Sequence, residues 1–257
     1  MLASRAMQAV VLAGGLATRM RPKTLTIPKA MLEVAGRPFI EWQLEKLAAC
    51  GFDDVVLCVA FLAEQIRDHV GDGARFGVHV RYSEEGPTLL GTAGAIRAAL
   101  DVLAPTFLVT YGDSYLPFDY AEPLRILEAH DDCAGVMSLF ANHGAWDESN
   151  TQPDATGAWV ALYEKRRPDL QLSHIDYGAI ALRREVIAAL PAGTPSGLDA
   201  IQSELARAKR LRAVEARDRF FEIGSPEGLE TLDRWLATHP VTPPDATRVP
   251  PKTSERS

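Results

Sequence analysis

Three cysteines, Cys50, Cys58 and Cys133, are all that this chain of 257 residues carries, and no two stand in a C-x-x-C spacing. Metal ligation and cysteine catalysis are therefore set aside, and buried, reduced thiols are expected. No apolar run approaches the roughly 20 residues needed to cross a bilayer, and residues 1–6 are too short and too mixed for a signal peptide. The cytoplasm is the expected location, with no membrane partner. Positive charge is not in excess either: 27 Lys and Arg against 34 Asp and Glu leave a formal net charge of -7. That argues against general nucleic-acid binding, which neutralises backbone phosphates with Lys and Arg. A phosphate-bearing ligand must then be met by a local cluster of cations or by a divalent ion. The first loop also lacks G-x-G-x-x-G, and Ala60-Phe61 stand where a dinucleotide fold would end its second strand on an acid, which excludes a nicotinamide dehydrogenase.

Against these absences stands one stretch near the N-terminus. Residues 9–13 are a continuous apolar run of strand length that breaks at Gly14-Gly15 and becomes a loop carrying Arg19, Arg21, Lys23 and Lys29. Glycine lacks a Cβ, so the backbone there can take positive φ and let an anion approach the main-chain N–H groups. The cations suit a polyphosphate. The plain alternative is a tight turn followed by a solvated loop.

Hydrophobic residues at 47% and charged residues at 24% are ordinary for a globular protein, and the length suits one large α/β domain or two small ones. Apolar spacing predicts a helix over 38–50, a strand over 53–60, a helix over 63–70 and a strand over 78–82, an alternation that favours a parallel sheet with right-handed crossovers. A helix then starts at Gly91-Thr92-Ala93-Gly94. Its small residues either let a flat ligand lie against free N–H groups or simply pack closely on the sheet. Strands follow over 105–111, 134–140, 159–163, 179–182, 211–214 and 220–223, with helices over 120–130, 184–190, 198–208 and 226–238, the last opened by Ser225 and Pro226. The strand over 105–111 ends in Gly112-Asp113. A carboxylate at the carboxyl end of a parallel strand lies where open α/β sheets bind ligands, which makes Asp113 the strongest catalytic candidate, although Gly-Asp is also a common turn. Glu164-Lys165 alone would be a solvated pair, His174 has no neighbouring metal ligands and is expected to be structural, and residues 240–257, rich in Pro, Thr and charge, are expected to be a disordered tail.

Taken in chain order, L-A-G-G-L-A-T-R-M-R-P-K at 12–23 with Pro28-Lys29, L-G-T-A-G-A-I at 90–96, Gly112-Asp113, Glu164-Lys165 and Glu222-Ile223-Gly224-Ser225-Pro226-Glu227 resemble the motifs of sugar-1-phosphate nucleotidyltransferases, over roughly residues 7–239. The resemblance implies one Rossmann-like, glycosyltransferase-A-like α/β domain with a mostly parallel central sheet and no C-terminal β-helix. Residues 7–140 would mainly bind nucleotide and 141–239 mainly sugar. The implied reaction is in-line transfer of a nucleotidyl group from a nucleoside triphosphate to a sugar 1-phosphate, releasing pyrophosphate, with Mg²⁺ as cofactor and self-association left open. Arg19, Lys29, Asp113 and Lys165 are the implied catalytic set. Leu12, Ala13, Gly14, Gly15, Thr18 and Arg19 would cradle the nucleotide together with Gly91, Thr92 and Gly112, while Glu84 or Glu85 accepts hydrogen bonds from the base edge. Asn150, Glu164, Lys165, Asp176, Tyr177 and Gly178 would hold the sugar, and Asp113 and Glu222 the metal ion.

The chain departs from the family pattern at three places. Ala17 replaces a glycine, Asp176 replaces an asparagine and cannot donate a hydrogen bond, and Glu222 replaces an aspartate. Glutamate is a reasonable oxygen donor for Mg²⁺, although Glu222 could merely open the turn that Ser225 caps. Residues 111–116, Trp146 to Asn150 and Ile175-Asp176-Tyr177-Gly178 most resemble enzymes that use GTP and D-glycero-D-manno-heptose 1-phosphate. A uridylyl- or thymidylyltransferase for a hexose or amino-sugar 1-phosphate is the alternative. A catalytically silent sugar-nucleotide-binding regulator is the rival from another class, kept open by Ala17, Asp176 and Glu222 and opposed by Lys29, Asp113 and Lys165.

Overall fold

The computed structural model describes residues 6–15, 20–86, 88–165 and 167–239; the expected tail over 240–257 lies outside them. The opening apolar run is β1 (Met7–Leu12), and it alternates between two cores. Ala9 and Val11 face one, Val10 the other, so a strand covered on both faces needs no polar side. There follow β2 (Glu33–Val34), β3 (Arg37–Pro38), α1 (Phe39–Ala49), β4 (Phe52–Val59), α2 (Ala63–Val70), β5 (His79–Glu84), α3 (Gly91–Ala98), β6 (Thr106–Tyr111), β7 (Ser114–Tyr115), α4 (Ala121–Ala129), β8 (Gly135–Ala141), β9 (Thr151–Pro153), β10 (Val160–Tyr163), β11 (His174–Arg183), α5 (Arg184–Ala188), α6 (Leu198–Arg207), β12 (Leu211–Ala216), β13 (Phe221–Glu222) and α7 (Pro226–Thr238).

The central sheet is mostly parallel, as expected. β5, β4, β1 and β6 lie side by side and parallel, β12 runs parallel to β8, and β11 enters antiparallel between β6 and β8. The parallel strands therefore point the same way, and their carboxyl ends share one edge. Leu44 and Leu47 of α1, Ile66 of α2 and Leu124 and Leu127 of α4 cover one face, while Ile96 of α3, Ile187 of α5 and Ile201 and Leu205 of α6 cover the other. Each such side chain, fully withdrawn from water, contributes about 1.5–3 kcal/mol. Both cores draw residues from before and after position 140, so the two expected halves share them. A third cluster joins Met20, Val34 and Trp42 to Tyr115, Phe221, Leu232 and Leu236, fixing α7 and the paired β7 and β13 beside the sheet edge.

The strand expected over 179–182 is only the second half of β11. Opposite β8, Asp176 faces Leu139 but Ile180 faces Met137, so β11 carries two extra residues. This bulge needs the φ of +101° at Gly178, a backbone region glycine enters freely. Ser138 repairs the interrupted ladder: its hydroxyl donates to the Ala179 carbonyl at 2.7 Å and accepts from the Ala179 N–H at 3.1 Å. Among the described residues no helix is long and apolar enough to cross a membrane.

Candidate active site

The carboxyl edge of the sheet opens into a cleft of about 240 Å³. Leu12, Ala13, Gly14 and Gly15 continue β1 along its floor, Gly91 and Thr92 form one wall, and Gly112, Asp113 and Lys29 close it. Gly112 must be glycine, because a Cβ there would lie 2.8 Å from the Leu12 carbonyl that its own N–H meets at 2.9 Å. The positive φ expected at the glycine pair is not found: neither Gly14 nor Gly15 is in that region. A Cβ on Gly14 would instead crowd Glu85 Oε1 at 3.1 Å and Ala60 at 3.2 Å, while nothing stands within 4 Å of the Cβ position of Gly15. Close approach explains the first glycine, and open space lies beside the second.

Of the two acids after β5, Glu85 lines the cleft, its Oε2 accepting from the Leu90 N–H at 2.5 Å. Glu84, named above as a nucleotide contact, is corrected: strand alternation turns it away, exposed and paired with Arg67. At the start of α3 close packing accounts for the glycines, but against the segment 194–196 and not, as expected, against the sheet. A Cβ on Gly91 would lie 2.7 Å from the Ser196 carbonyl, which already accepts from the N–H groups of Ala93 and Gly94 at 3.0 and 3.2 Å. Ser196 N–H in turn donates to Leu90 O at 2.8 Å, and Leu198 N–H to Thr92 Oγ1 at 2.8 Å.

Lys29 stands on a single 3-10 turn, Lys29–Met31, and its Nζ meets Asp113 Oδ2 at 2.5 Å with both side chains largely withdrawn from solvent. The loop bearing Asp113 is fastened by Gln43, whose Nε2 donates to Tyr111 O at 2.7 Å and Ser114 O at 3.0 Å. Pairing of β13 with β7 sets Glu222 opposite Ser114, and Ile223 N–H donates to Asp113 O at 3.0 Å. The two expected metal ligands thus come from adjacent, hydrogen-bonded segments. Among the described residues no group of three or more His, Cys, Asp and Glu is arranged for a metal ion. A pair of hard oxygen donors on adjacent segments still fits Mg²⁺, which takes one or two carboxylates and completes its shell with water and substrate oxygens.

The sugar-side residues divide. Asn150 Oδ1 accepts from the Asp176 N–H at 2.8 Å. The Asp176 carboxylate accepts from Gly178 N–H at 3.0 Å and Gln202 Nε2 at 2.7 Å. Its pKa is raised by burial, which outweighs these hydrogen bonds and the field of Lys165. Glu164 is held by Arg207 at 2.7 Å, and Lys165 is exposed. Tyr177 is corrected: it points to the opposite face of β11, its ring packed against Phe118, Phe140 and Phe220 in the core. Gly178 supplies the bulge. His174 Nδ1 lies 2.7 Å from Ser173 Oγ, and its pKa is lowered chiefly by burial. Residues missed in the sequence converge here. Burial raises the Tyr111 pKa, and the charges of Asp176, Asp113, Asp199 and Glu222 push it further. The buried Tyr163 responds first to burial and then to Asp176, Tyr111 and Asp199. Asp199 in the first turn of α6 looks in sequence like any acid at a helix start, which leaves no signal for its place beside Tyr111. Thr18 and Arg19, with Ala17, lie outside the described residues.

The nucleotidyl transferase family model matches residues 8–236. N-acetylmuramate alpha-1-phosphate uridylyltransferase of Neisseria meningitidis serogroup B is 45% identical over 191 residues, 68% of this chain and 81% of that one. The chain belongs to the sugar-1-phosphate nucleotidyltransferases. Mannose-1-phosphate guanylyltransferase of Mycobacterium tuberculosis is 32% identical across 75% of this chain, which spans only 53% of that longer relative. A solved putative glucose-1-phosphate thymidylyltransferase from Bacillus anthracis shares the fold with a TM-score of 0.78 at 18% identity, covering 90% of this chain and 95% of that one. In this nucleotidyltransferase the glycine floor, Lys29 and Asp113 line one cleft at the carboxyl edge of the sheet.

Proposed function

We propose that the protein transfers a uridylyl group from UTP to N-acetylmuramate 1-phosphate, releasing pyrophosphate. The observation that carries this reading is the 45% identity to the Neisseria uridylyltransferase across 81% of its length. In this reading the triphosphate lies along Leu12 to Gly15, against Gly91, Thr92 and Gly112, with Arg19 and Lys29 on its phosphates. Lys165 meets the acceptor phosphate. Asn150 and Gln202 hold Asp176 in position, and Asp176 and Glu164 accept hydrogen bonds from the sugar. Asp113 and Glu222 are the residues that would hold Mg²⁺, which when bound neutralises phosphate charge and screens it from the incoming acceptor oxygen. The chain's own contribution is alignment. With no covalent intermediate, catalysis depends on holding the acceptor oxygen in line with the α-phosphorus and on charges fixed before the reaction.

The cytoplasm is the proposed location. The guanylyl relative and the Ile175-Asp176-Tyr177-Gly178 motif support a second reading, GTP with a heptose 1-phosphate. Pyrophosphate release is measured with each triphosphate against N-acetylmuramate, N-acetylglucosamine, mannose, glucose and heptose 1-phosphates. The highest kcat/KM for UTP with N-acetylmuramate 1-phosphate is expected; a preference for GTP with the heptose would replace the first reading by the second.

A further inference from the structure

The loops that follow β8 and β12 leave the sheet at the same edge as Asp113. In the first, Trp146 is 53% exposed in a turn folded by Asn142, whose Oδ1 accepts from the Trp146 N–H at 3.2 Å and whose Nδ2 donates to Asp147 O at 2.5 Å. Four residues further on, Asn150 holds Asp176. In the second loop Arg219 lies half-buried just before the strand that carries Glu222. Its guanidinium carbon stands 3.9 Å from the centre of the Trp146 ring and 5.0 Å from that of Phe221. One N–H is used, Nε to Phe220 O at 3.3 Å.

Five arginines stack on aromatic rings among the described residues. Four have a carboxylate: Arg37 has Glu45, Arg67 has Glu84, Arg75 has Glu41 and Arg212 has Asp132. Arg219 has none among the described residues. It is a cation pre-ordered between two rings, on the segment that leads to Glu222 and stacked on the loop that leads to Asn150, and its planar terminal donors have no partner among the described residues. Such a fork matches an oxyanion in geometry and loses little rotamer freedom on binding one.

We infer that Arg219, held flat on Trp146, is the receptor for an oxyanion of the acceptor, either the carboxylate of an acidic sugar or its 1-phosphate. The inference rests on the sugar-1-phosphate reading above. N-acetylmuramate 1-phosphate carries both anions, and N-acetylglucosamine 1-phosphate, which lacks the lactyl group, carries only the phosphate. The test compares wild type and Arg219→Gln with both acceptors. The variant is expected to raise the acceptor KM about 10- to 100-fold, the usual size for a lost hydrogen-bonded charge contact, with the KM for the triphosphate unchanged. A rise confined to the acidic acceptor assigns Arg219 to the carboxylate, and an equal rise for both assigns it to the phosphate. Arg219→Lys, which keeps the charge but loses the flat stack, should fall between. An unchanged acceptor KM, or a parallel rise for the triphosphate, overturns the inference. Failure of the proposed function shows separately, in the wild-type panel; the Arg219 comparison is then made with the acceptor and triphosphate that panel selects.

Discussion

Replacing Gly228 by alanine sets two physical effects against each other. Gly228 is in the first turn of α7, and a Cβ there would lie 2.2 Å from the carbonyl oxygen of Glu222 and 3.2 Å from Ser225 Oγ. The main contact is with backbone, so no side-chain rotation relieves it, and the helix and β13 must part by about 1 Å to reach ordinary contact. α7 resists that movement: Leu232 and Leu236 are buried, Asp233 Oδ1 accepts from the Ala35 N–H at 2.5 Å, and Trp235 packs on Tyr115 and Phe221. Overpacking of this kind costs about 1–3 kcal/mol, while alanine gains about 1 kcal/mol over glycine in a helix. The net expectation is a loss of up to about 2 kcal/mol, or about 4–8 °C in Tm for a chain of this size. Because the displaced group is Glu222, turnover should fall by about 100-fold, the penalty for roughly 1 Å of misplacement at a reacting centre. Melting curves and initial rates across a Mg²⁺ titration measure both, with Gly86→Ala as a neutral control, since nothing stands within 4 Å of that Cβ position. A raised Tm with unchanged turnover would refute the reasoning, because helix propensity alone would then have decided the outcome.

Three further outcomes follow from the site. Asp113→Ala should lower turnover by at least about 100-fold while nucleotide binding by calorimetry persists; full activity in this variant would remove Asp113 from the catalytic set, and only a wild type without turnover would revive the silent-regulator reading. Burial raises the Asp176 pKa above 3.8, so the folded state holds that proton more tightly than the unfolded state does, and stability falls as pH rises from that value through the folded pKa. Asp176→Asn, with the Gln202 amide turned to accept from it, should remove that fall and be the more stable protein at pH 7, which urea titrations at pH 4 and pH 7 compare. Cys58 borders the cleft, but burial, aided by Glu85, pushes its thiol up to about 12. A thiol reagent at pH 8 should leave Cys58 unmodified in the native protein and label it only after unfolding, as peptide mass analysis would report.

The parallel half of the fold was legible because strands covered on both faces announce themselves as unbroken apolar runs: β1, β4 and β6 all fall where the sequence puts them. β11 was half visible. Asp176 and the glycine of its bulge interrupt the apolar pattern, and the segment is kept in the sheet by pairing with β8 and by the Ser138 contact, made 41 residues away. β13 falls inside the strand expected over 220–223, but its partner, the two-residue β7, carries no periodicity, and their pairing depends on the small core around Trp42 and α7. At the site, motif order located Lys29, Asp113 and the glycine floor. It could not say which of Glu84 and Glu85 enters the cleft, because strand parity depends on where β5 begins. Nor could it turn Tyr177 into the core, or bring Tyr163 of β10 and Asp199 and Gln202 of α6 to the same buried carboxylate, Asp176.

The backbone seam between α3 and the approach to α6 has a mechanical consequence. Leu90, Thr92, Ala93 and Gly94 are tied to Ser196 and Leu198 by four hydrogen bonds, so the α3 wall of the cleft and the helix carrying Asp199 and Gln202 are joined into one piece. The width of the cleft is then set from the other side, by the glycine floor and Lys29. If the proposed reading holds, a substitution at residues 90–94 that reshapes the nucleotide side will be felt at the sugar side, so the two specificities would not be altered independently from that wall.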